Sequence, residues 1–182
     1  VHNSSRKGIR KFTQPASYFP PLLSVVVVVT IIELFCNRET GIITGLTTKM
    51  DYELSKDYLA VEGDGYYTIT AVGSFSRFGT GAIVEVWDNN APEGADPVET
   101  FYIVIYGDVN GDSAVNSLDG SIVKSEALYV TQWSWGSTKD AVKVMAADLV
   151  KDGYIQTNDA DGIVNTTLGI ASIDQTTGTV VR

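Results

Sequence analysis

Two acidic segments forty positions apart constrain the fold of this chain more than any other feature. The first, Asp108–Asp119, has oxygen-bearing side chains at positions 1, 3, 5, 9 and 12 of a twelve-residue stretch. The second, Asp148–Asp159, repeats aspartate at positions 1, 5 and 12 and has Gly153 at position 6. A chain that wraps around an ion must turn sharply at that position. Calcium takes about six to eight oxygen ligands, and one tight loop can supply most of them. The spacing therefore predicts two calcium-binding loops of the EF-hand kind.

Each loop offers side-chain oxygens and, at position 7, a backbone carbonyl. The predicted ligands are Asp108, Asn110, Asp112, the carbonyl of Ala114, Asn116 and Asp119 in the first loop, and Asp148, Asp152, the carbonyl of Tyr154, Gln156 and Asp159 in the second. Position 12 is aspartate in both, one methylene shorter than the usual glutamate, so the loops must close more tightly or chelate more weakly. Position 3 of the second loop is Val150, which has no side-chain oxygen. We therefore expect two Ca²⁺ sites, of which the second is the weaker.

Each loop is followed by a helical pattern and is not preceded by one. After Asp119, apolar residues recur at helical spacing through Leu128, and after Asp159 they do so until Gly169, a natural helix stop. The segment before the first loop, Phe101–Tyr106, predicts a strand. Each unit is therefore a loop with an exiting helix, and it lacks the entering helix of a complete EF-hand.

This duplicated half-hand resembles the type I dockerin domain. The resemblance rests on residues 107–112, residues 115–119 and the degenerate copy at 147–159, and it spans 107–172. It implies a calcium-dependent module that docks onto a cohesin domain of a scaffold or cell-surface protein. It also implies an extracellular location and a polysaccharide-degrading parent protein of the cellulosome type, so that this chain meets polysaccharide only indirectly.

The resemblance also implies which residues contact the partner. In that family the pair before the final ligand touches the cohesin, together with a basic residue about one turn later. The residues at these positions are Ser117, Leu118, Lys124, Thr157 and Asn158. The second copy has Val164 where the first has Lys124, so the two faces are unequal. Leu118 replaces a residue that usually bears a hydroxyl, and it is either an apolar contact or part of the core.

Residues 41–106 predict a small all-β module. Residues 66–72, 81–87 and 100–106 are rich in β-branched and aromatic side chains, and turn residues separate them. Strands at this spacing favour an Ig-like sandwich or a fragment of one. The predicted fold class is therefore α+β, with an Ig-like β-module, an all-α dockerin-like pair over 107–172 and a tail over 173–182.

The connector between the two loops predicts a further helix and contains two tryptophans. Ser137 or Thr138 can cap a helix that ends near Ala147. Trp133 and Trp135 either stack on sugar rings or close the core of a small domain, which needs every large apolar side chain that it has. A carbohydrate-binding accessory module is therefore an alternative function, to which exposed tyrosines such as Tyr52, Tyr58, Tyr66 and Tyr67 would contribute. A calcium-stiffened structural domain is a further alternative.

Residues 1–40 differ from the rest of the chain. A basic stretch, Arg6–Lys11, precedes an apolar run from Leu22 to Cys36 that includes five consecutive valines. That order is typical of an export signal, whereas the valines favour a buried strand or an interface element. A truncated or misread start is the third interpretation. The run is too short for a membrane helix of about twenty residues, so no stable membrane span is expected.

Charge and residue content argue against nucleic-acid binding and against catalysis. The net charge is −9, and residues 88–182 contain fourteen acidic and five basic side chains, so a basic footprint for nucleic acid is absent there. The only histidine is His2 and the only cysteine is Cys36, which leaves no Ser-His-Asp or Cys-His arrangement in the folded region. Carboxylates outside the loops could form a glycosidase pair. A β-module of this size does not enclose a sugar-cleaving cleft, and we expect no enzyme activity.

Overall fold

The structure of the chain is a computed structural model that describes residues 26–28, 35–46, 55, 59–134 and 137–182. The predicted basic stretch near the N-terminus lies outside the described residues, as do Tyr52, Tyr58 and Trp135.

The N-terminal part of the fold is made of strands. Strands β1 to β7 are Val26–Val28, Phe35–Asn37, Ile42–Thr44, Ala60–Glu62, Gly65–Thr70, Ile83–Asp88 and Glu99–Ile103. Five of them form one sheet in the order β2-β3-β7-β6-β5, and β1 pairs with β4 in a separate two-stranded sheet. All these pairings are antiparallel except that of β3 with β7. The predicted strands over 66–72, 81–87 and 100–106 are confirmed as β5, β6 and β7. The sheet begins earlier than residue 41, because β2 pairs with β3.

Alternation along β5, β6 and β7 separates an inner face from an outer face. The inner residues Val84, Val86, Phe101 and Ile103 are almost completely buried and form the first hydrophobic core. β-branched and aromatic side chains fit such a pleated, half-buried surface, and successive residues point to opposite faces. The outer face carries the cross-strand pair Tyr66 and Trp87, whose neighbours along the sheet are polar or half-buried.

Three helices make up the C-terminal part. Helices α1, α2 and α3 are Ser117–Ala127, Thr138–Ala147 and Thr157–Thr167, and a short hairpin, β8 (Ser172–Ile173) with β9 (Val180–Val181), follows them. The predicted connector helix is confirmed as α2. Its N-cap is Ser137, whose side chain accepts the backbone N–H of Asp140. No helix of the described residues is long and apolar enough to cross a membrane.

Helices α1 and α3 pack against each other over the second hydrophobic core. Val123 and Ile163 are fully buried at this contact. Gly120 allows the close approach, because a Cβ there would lie 2.9 Å from a methyl of Val164. One cavity is lined by Ala127 and Tyr129 from the end of α1 and by Thr157 from the start of α3. The two helices therefore run antiparallel.

Trp133 lies on the edge of the second core. Its ring is partly buried, and the Nζ of Lys143 lies 5.9 Å from the ring centroid. Its backbone N–H donates to the Glu126 carboxylate. Trp133 thus takes part in closing the helical core, the second of the two roles that the sequence left open.

Candidate calcium-binding loops and docking face

The two acidic loops have the same backbone conformation. Positions 4 and 6 are left-handed in both: Gly111 (φ 79°) and Ser113 (φ 65°) in the first loop, Lys151 (φ 63°) and Gly153 (φ 82°) in the second. Left-handed backbone is strain-free for glycine and costs energy for other residues. Each loop thus has one glycine and one non-glycine residue at these positions, with the order reversed. The shared turn is a property of the loop and not of one sequence.

The aspartate at position 1 organises each turn by accepting backbone N–H groups. Asp108 Oδ1 accepts from Gly111 (2.8 Å) and its Oδ2 from Ser113 (3.1 Å). Asp148 does the same with Lys151 (2.7 Å) and Gly153 (3.0 Å). Both carboxylates therefore face the inside of their loop, as a ligand at position 1 must.

The aspartate at position 12 ties the end of each loop to its beginning and to the following helix. Asp119 Oδ1 accepts from Val109 (3.0 Å) and its Oδ2 from Asn116 (3.0 Å). Asp159 accepts from Leu149 (2.9 Å) and Gln156 (2.9 Å) in the same way. The second contact of each is the returning half of a capping box at the helix N-terminus. Both carboxyl groups are completely buried, so each loop is closed around its last residue.

The middle of the two loops differs in its side chains. In the first, Asn110 Nδ2 donates to Asp112 Oδ2 (2.9 Å). In the second, Val150 has no polar group to offer at position 3, and Gln156 Nε2 from position 9 donates to Asp152 Oδ2 (3.0 Å). The position 5 aspartates behave alike, since each accepts the N–H two residues further on. The second loop therefore has one side-chain oxygen fewer that could bind a metal ion.

Two carboxyl groups of the first loop, those of Asp108 and Asp119, are buried. The pKa of Asp108 is raised to about 7, chiefly because the carboxyl group is buried. The backbone N–H groups that donate to it act in the opposite direction and lower the pKa. Burial likewise raises the pKa of Asp119. A divalent cation would supply the positive charge that these carboxylates lack. Within the described ranges, no three or more His, Cys, Asp or Glu side chains are grouped so as to hold a metal.

The donor chemistry nevertheless fits calcium. Carboxylate, amide and carbonyl oxygens are what calcium prefers, and neither loop contains a nitrogen or sulfur ligand. Residues Asp108, Asn110, Asp112, Asn116 and Asp119, with the Ala114 carbonyl, would hold the ion in the first loop. In the second, Asp148, Asp152, Gln156 and Asp159 would do so with the Tyr154 carbonyl.

Sequence reasoning missed two contacts from outside the loops. The backbone N–H of Thr80, in the β-region, donates to Asp108 Oδ2 (3.1 Å). On the other loop, Lys151 Nζ lies 4.1 Å from the ring centroid of Tyr106, and burial lowers the pKa of this lysine. Tyr106 is in turn held by Gln175, which donates to its carbonyl (2.9 Å) and accepts from its N–H (2.8 Å). These contacts join residues far apart in sequence, and no local sequence pattern indicates them.

The five residues predicted to contact a partner are all exposed. They are Ser117, Leu118 and Lys124 on α1, and Thr157 and Asn158 on α3. Leu118 is 54% exposed, which rules out the interpretation of this side chain as a core residue. Because α1 and α3 are antiparallel, the two pairs lie at opposite ends of the helix pair.

Exposed apolar side chains continue this face at the helix C-termini. Tyr129 (φ 57°) and Gly169 (φ 70°) end the two helices in the same left-handed conformation, forty positions apart. Leu128, Tyr129 and Val130 follow α1, and Leu168 and Ile170 follow α3, all more than half exposed. The start of each helix lies near the end of the other, so each predicted pair has an apolar neighbour.

A comparison with known protein families agrees with this geometry. The model of the dockerin type I domain matches residues 106–168. This segment is a type I dockerin domain. The match covers about a third of the chain and confirms the resemblance seen in the sequence. No curated protein and no solved structure matches the chain.

Membership of this segment in the dockerin family identifies its ligand and its partner. Type I dockerins bind calcium through EF-hand-like loops, and dockerin domains bind cohesins. The dockerin domain is a docking module and not a catalytic one. The fold of the chain as a whole is α+β, with a β-rich region before the dockerin domain.

Proposed function

We propose that this chain attaches an extracellular, polysaccharide-degrading parent protein to a cohesin on a scaffold or cell-surface protein, in a calcium-dependent manner. The observation that supports this most strongly is the repetition of one hydrogen-bond network in both loops, each of which leads into a helix with an exposed start. Proteins that contain a dockerin are typically extracellular components of cellulosomes. The β-rich region, an Ig-like spacer in this proposal, would hold the docking domain away from its parent. Its two separate sheets and largely antiparallel pairing are compatible with that role.

Calcium would act by fixing the relative position of the two helices. Each loop closes on a buried aspartate that also caps its helix, so an ion bound by that loop is connected to the helix N-terminus through one residue. Ligands must be deprotonated to bind, and binding energy becomes folding energy. The first site would be the stronger, because it has an amide oxygen at position 3 where the second loop has Val150.

The partner would bind the face formed by the starts and ends of α1 and α3. Its first half combines Ser117 and Leu118 with Lys124. The second has Thr157 and Asn158, and the position equivalent to Lys124 is the half-buried Val164, which packs against α1. A cohesin that recognises the lysine and the leucine distinguishes the two halves. We therefore propose one preferred binding orientation in place of two equivalent ones.

Capture by a panel of immobilised type I cohesins tests this function. We expect capture by at least one cohesin in calcium, and loss of capture in excess EDTA. The double variant Ser117→Ala with Leu118→Ala should bind calcium normally and lose most of its capture. Ser74→Ala with Val98→Ala is a matched control, since these are an exposed hydroxyl and an exposed aliphatic side chain in the β-region. Capture that survives EDTA, or that the control abolishes equally, would contradict the proposal.

A specific observation also favours carbohydrate binding as a second candidate function. The rings of Tyr66 and Trp87 lie nearly parallel on the outer face of the sheet, with centroids 6.5 Å apart and an interplanar angle of 15°. Tyr66 is 48% exposed. Flat aromatic surfaces of this kind can stack on sugar rings. Retardation in a cellulose or xylan affinity gel, abolished by Tyr66→Ala and not by Tyr154→Ala, would establish this activity, and equal mobility with and without polysaccharide would exclude it.

A further inference from the structure

The first calcium loop is in contact with a tight turn of the β-region, Gly79–Gly81, here called the glycine turn. A Cβ on Gly79 would lie 2.5 Å from Asp108 Oδ2 and closer still to the carbonyl oxygen of Gly111. A Cβ on Gly111 would lie 2.7 Å from the carbonyl oxygen of Thr80. The two backbones therefore touch with glycine on both sides, and no side chain larger than hydrogen fits between them.

Hydrogen bonds fix the glycine turn at this place. The N–H of Thr80 donates to Asp108 Oδ2 (3.1 Å), which is the ligand at position 1. The Thr80 hydroxyl donates to the carbonyl of Ile105 (3.0 Å) and accepts the N–H of the same residue (3.0 Å). Thr80 is only 3% exposed, so these bonds are shielded from water. The turn is thus joined both to the loop and to the chain that enters it.

Among the described residues, the Asp148 carboxylate of the second loop accepts no hydrogen bond from the β-region, although Lys151 of that loop lies against the ring of Tyr106. The hydrogen bonds that the structure gives the Asp148 carboxylate come from Lys151, Asp152 and Gly153, all in its own loop. A Cβ on Gly153 would meet nothing within 4 Å. Asp108 is fully buried, whereas Asp148 is half-buried. The two loops have the same backbone conformation but different surroundings.

We propose that the glycine turn is a positioning element of the first calcium site, so that calcium binding there and docking of the β-region are linked. Thr80 is a positioning residue, because it acts on the ion through Asp108. A donor held in place orients the carboxylate before the ion arrives, and such hydrogen bonds to charged groups are among the stronger ones in proteins. Linkage is reciprocal, so calcium in the first loop must stabilise the contact with the β-region by the same factor.

The test measures calcium affinity of each loop separately in the full chain. Asp152→Ala isolates the first loop and Asp112→Ala isolates the second, and each is titrated with Ca²⁺ by calorimetry. Adding Gly79→Ala should weaken the first site by about tenfold or more, since it displaces a hydrogen bond to a charged group. The second site should change by less than about twofold, which lies within the ordinary effect of a distant substitution. Gly94→Ala is the control, because it lies in another β-region turn at φ +82° with open space around it.

Two further measurements keep the outcome clear if Gly79→Ala impairs folding. Thr80→Val removes the hydroxyl and should weaken the first site, whereas Thr80→Ser keeps it and should restore binding. Amide hydrogen exchange in β6 and β7 should slow when calcium fills the first loop alone, and it should not change when calcium fills the second alone. Three results would overturn the proposal. Gly79→Ala could weaken both calcium sites equally, Gly94→Ala could weaken the first site as much as Gly79→Ala does, or hydrogen exchange in β6 and β7 could stay the same when calcium fills the first loop. The test measures calcium binding and not cohesin capture, so its outcome does not depend on whether the docking function is correct.

Discussion

The two loops of the dockerin domain have nearly the same backbone and very different surroundings. Both turn through left-handed residues at positions 4 and 6, and both close on a buried aspartate with the same donors. The first is covered by the glycine turn, whereas the second exposes Val150 and Tyr154 and contacts Tyr106 through Lys151. The two copies of the loop thus have the same hydrogen bonds that shape the backbone, but they differ in the number of ligands and in the contacts that anchor them.

The largest effects are expected at position 12, where the two loops are alike. Asp119→Ala and Asp159→Ala each remove the acceptor of three backbone N–H groups, so each should lower the free energy of unfolding by about 3 kcal/mol or more. Urea unfolding in saturating calcium measures this. Asp161→Ala, at an exposed position of α3, is the control and should cost less than about 0.5 kcal/mol. A position 12 variant as stable as the control would break the equivalence of the loops.

A smaller effect on thermal stability should distinguish the two loops, because their surroundings differ. Gly111→Ala and Gly153→Ala both place a side chain at a left-handed position, which costs about 1–2 kcal/mol. Gly111→Ala also drives a methyl against the Thr80 carbonyl, whereas Gly153→Ala meets open space. Thermal unfolding in calcium should therefore show the larger drop in Tm for Gly111→Ala. Equal drops would mean that the glycine turn moves aside at little cost.

The smallest effect concerns ligand number. Val150→Asn gives the second loop the position 3 amide that the first already has. It should strengthen calcium binding there by about tenfold, because one added ligand contact is worth about as much as one hydrogen bond. Asn110→Val should weaken the first site by a similar factor. Calorimetric titration checks both. Tyr154→Phe is the control, because only the carbonyl of position 7 is a proposed ligand. An unchanged second site in Val150→Asn would show that position 3 does not face the ion.

The repeated parts of the molecule could be predicted from the sequence. Aspartate spacing predicted both loops, and a cap at Ser137 or Thr138 predicted α2, because these features depend on contacts between residues close in the chain. The strands β5, β6 and β7 followed from their β-branched and aromatic residues. A spacing pattern does not reveal where a carboxylate points, so the burial of Asp119 and Asp159 came only with the structure.

Contacts between distant segments could not be predicted. Nothing in the sequence around Thr80 indicates that its backbone N–H donates to Asp108, twenty-eight positions later. The parallel pairing of β3 with β7 and the pairing of β1 with β4 are equally non-local. Leu118 shows the same limit on a smaller scale, since an apolar residue near a helix start suits either a core or a docking face until its exposure is known.

A calcium titration of the full chain by calorimetry, with circular dichroism recorded in parallel, tests the central claim most directly. We predict two binding events, of which Asp112→Ala removes the tighter and Asp152→Ala the weaker, together with a gain in thermal stability when both sites fill. A chain that takes up no calcium, or whose helices and Tm are the same in calcium and in EDTA, would contradict the account.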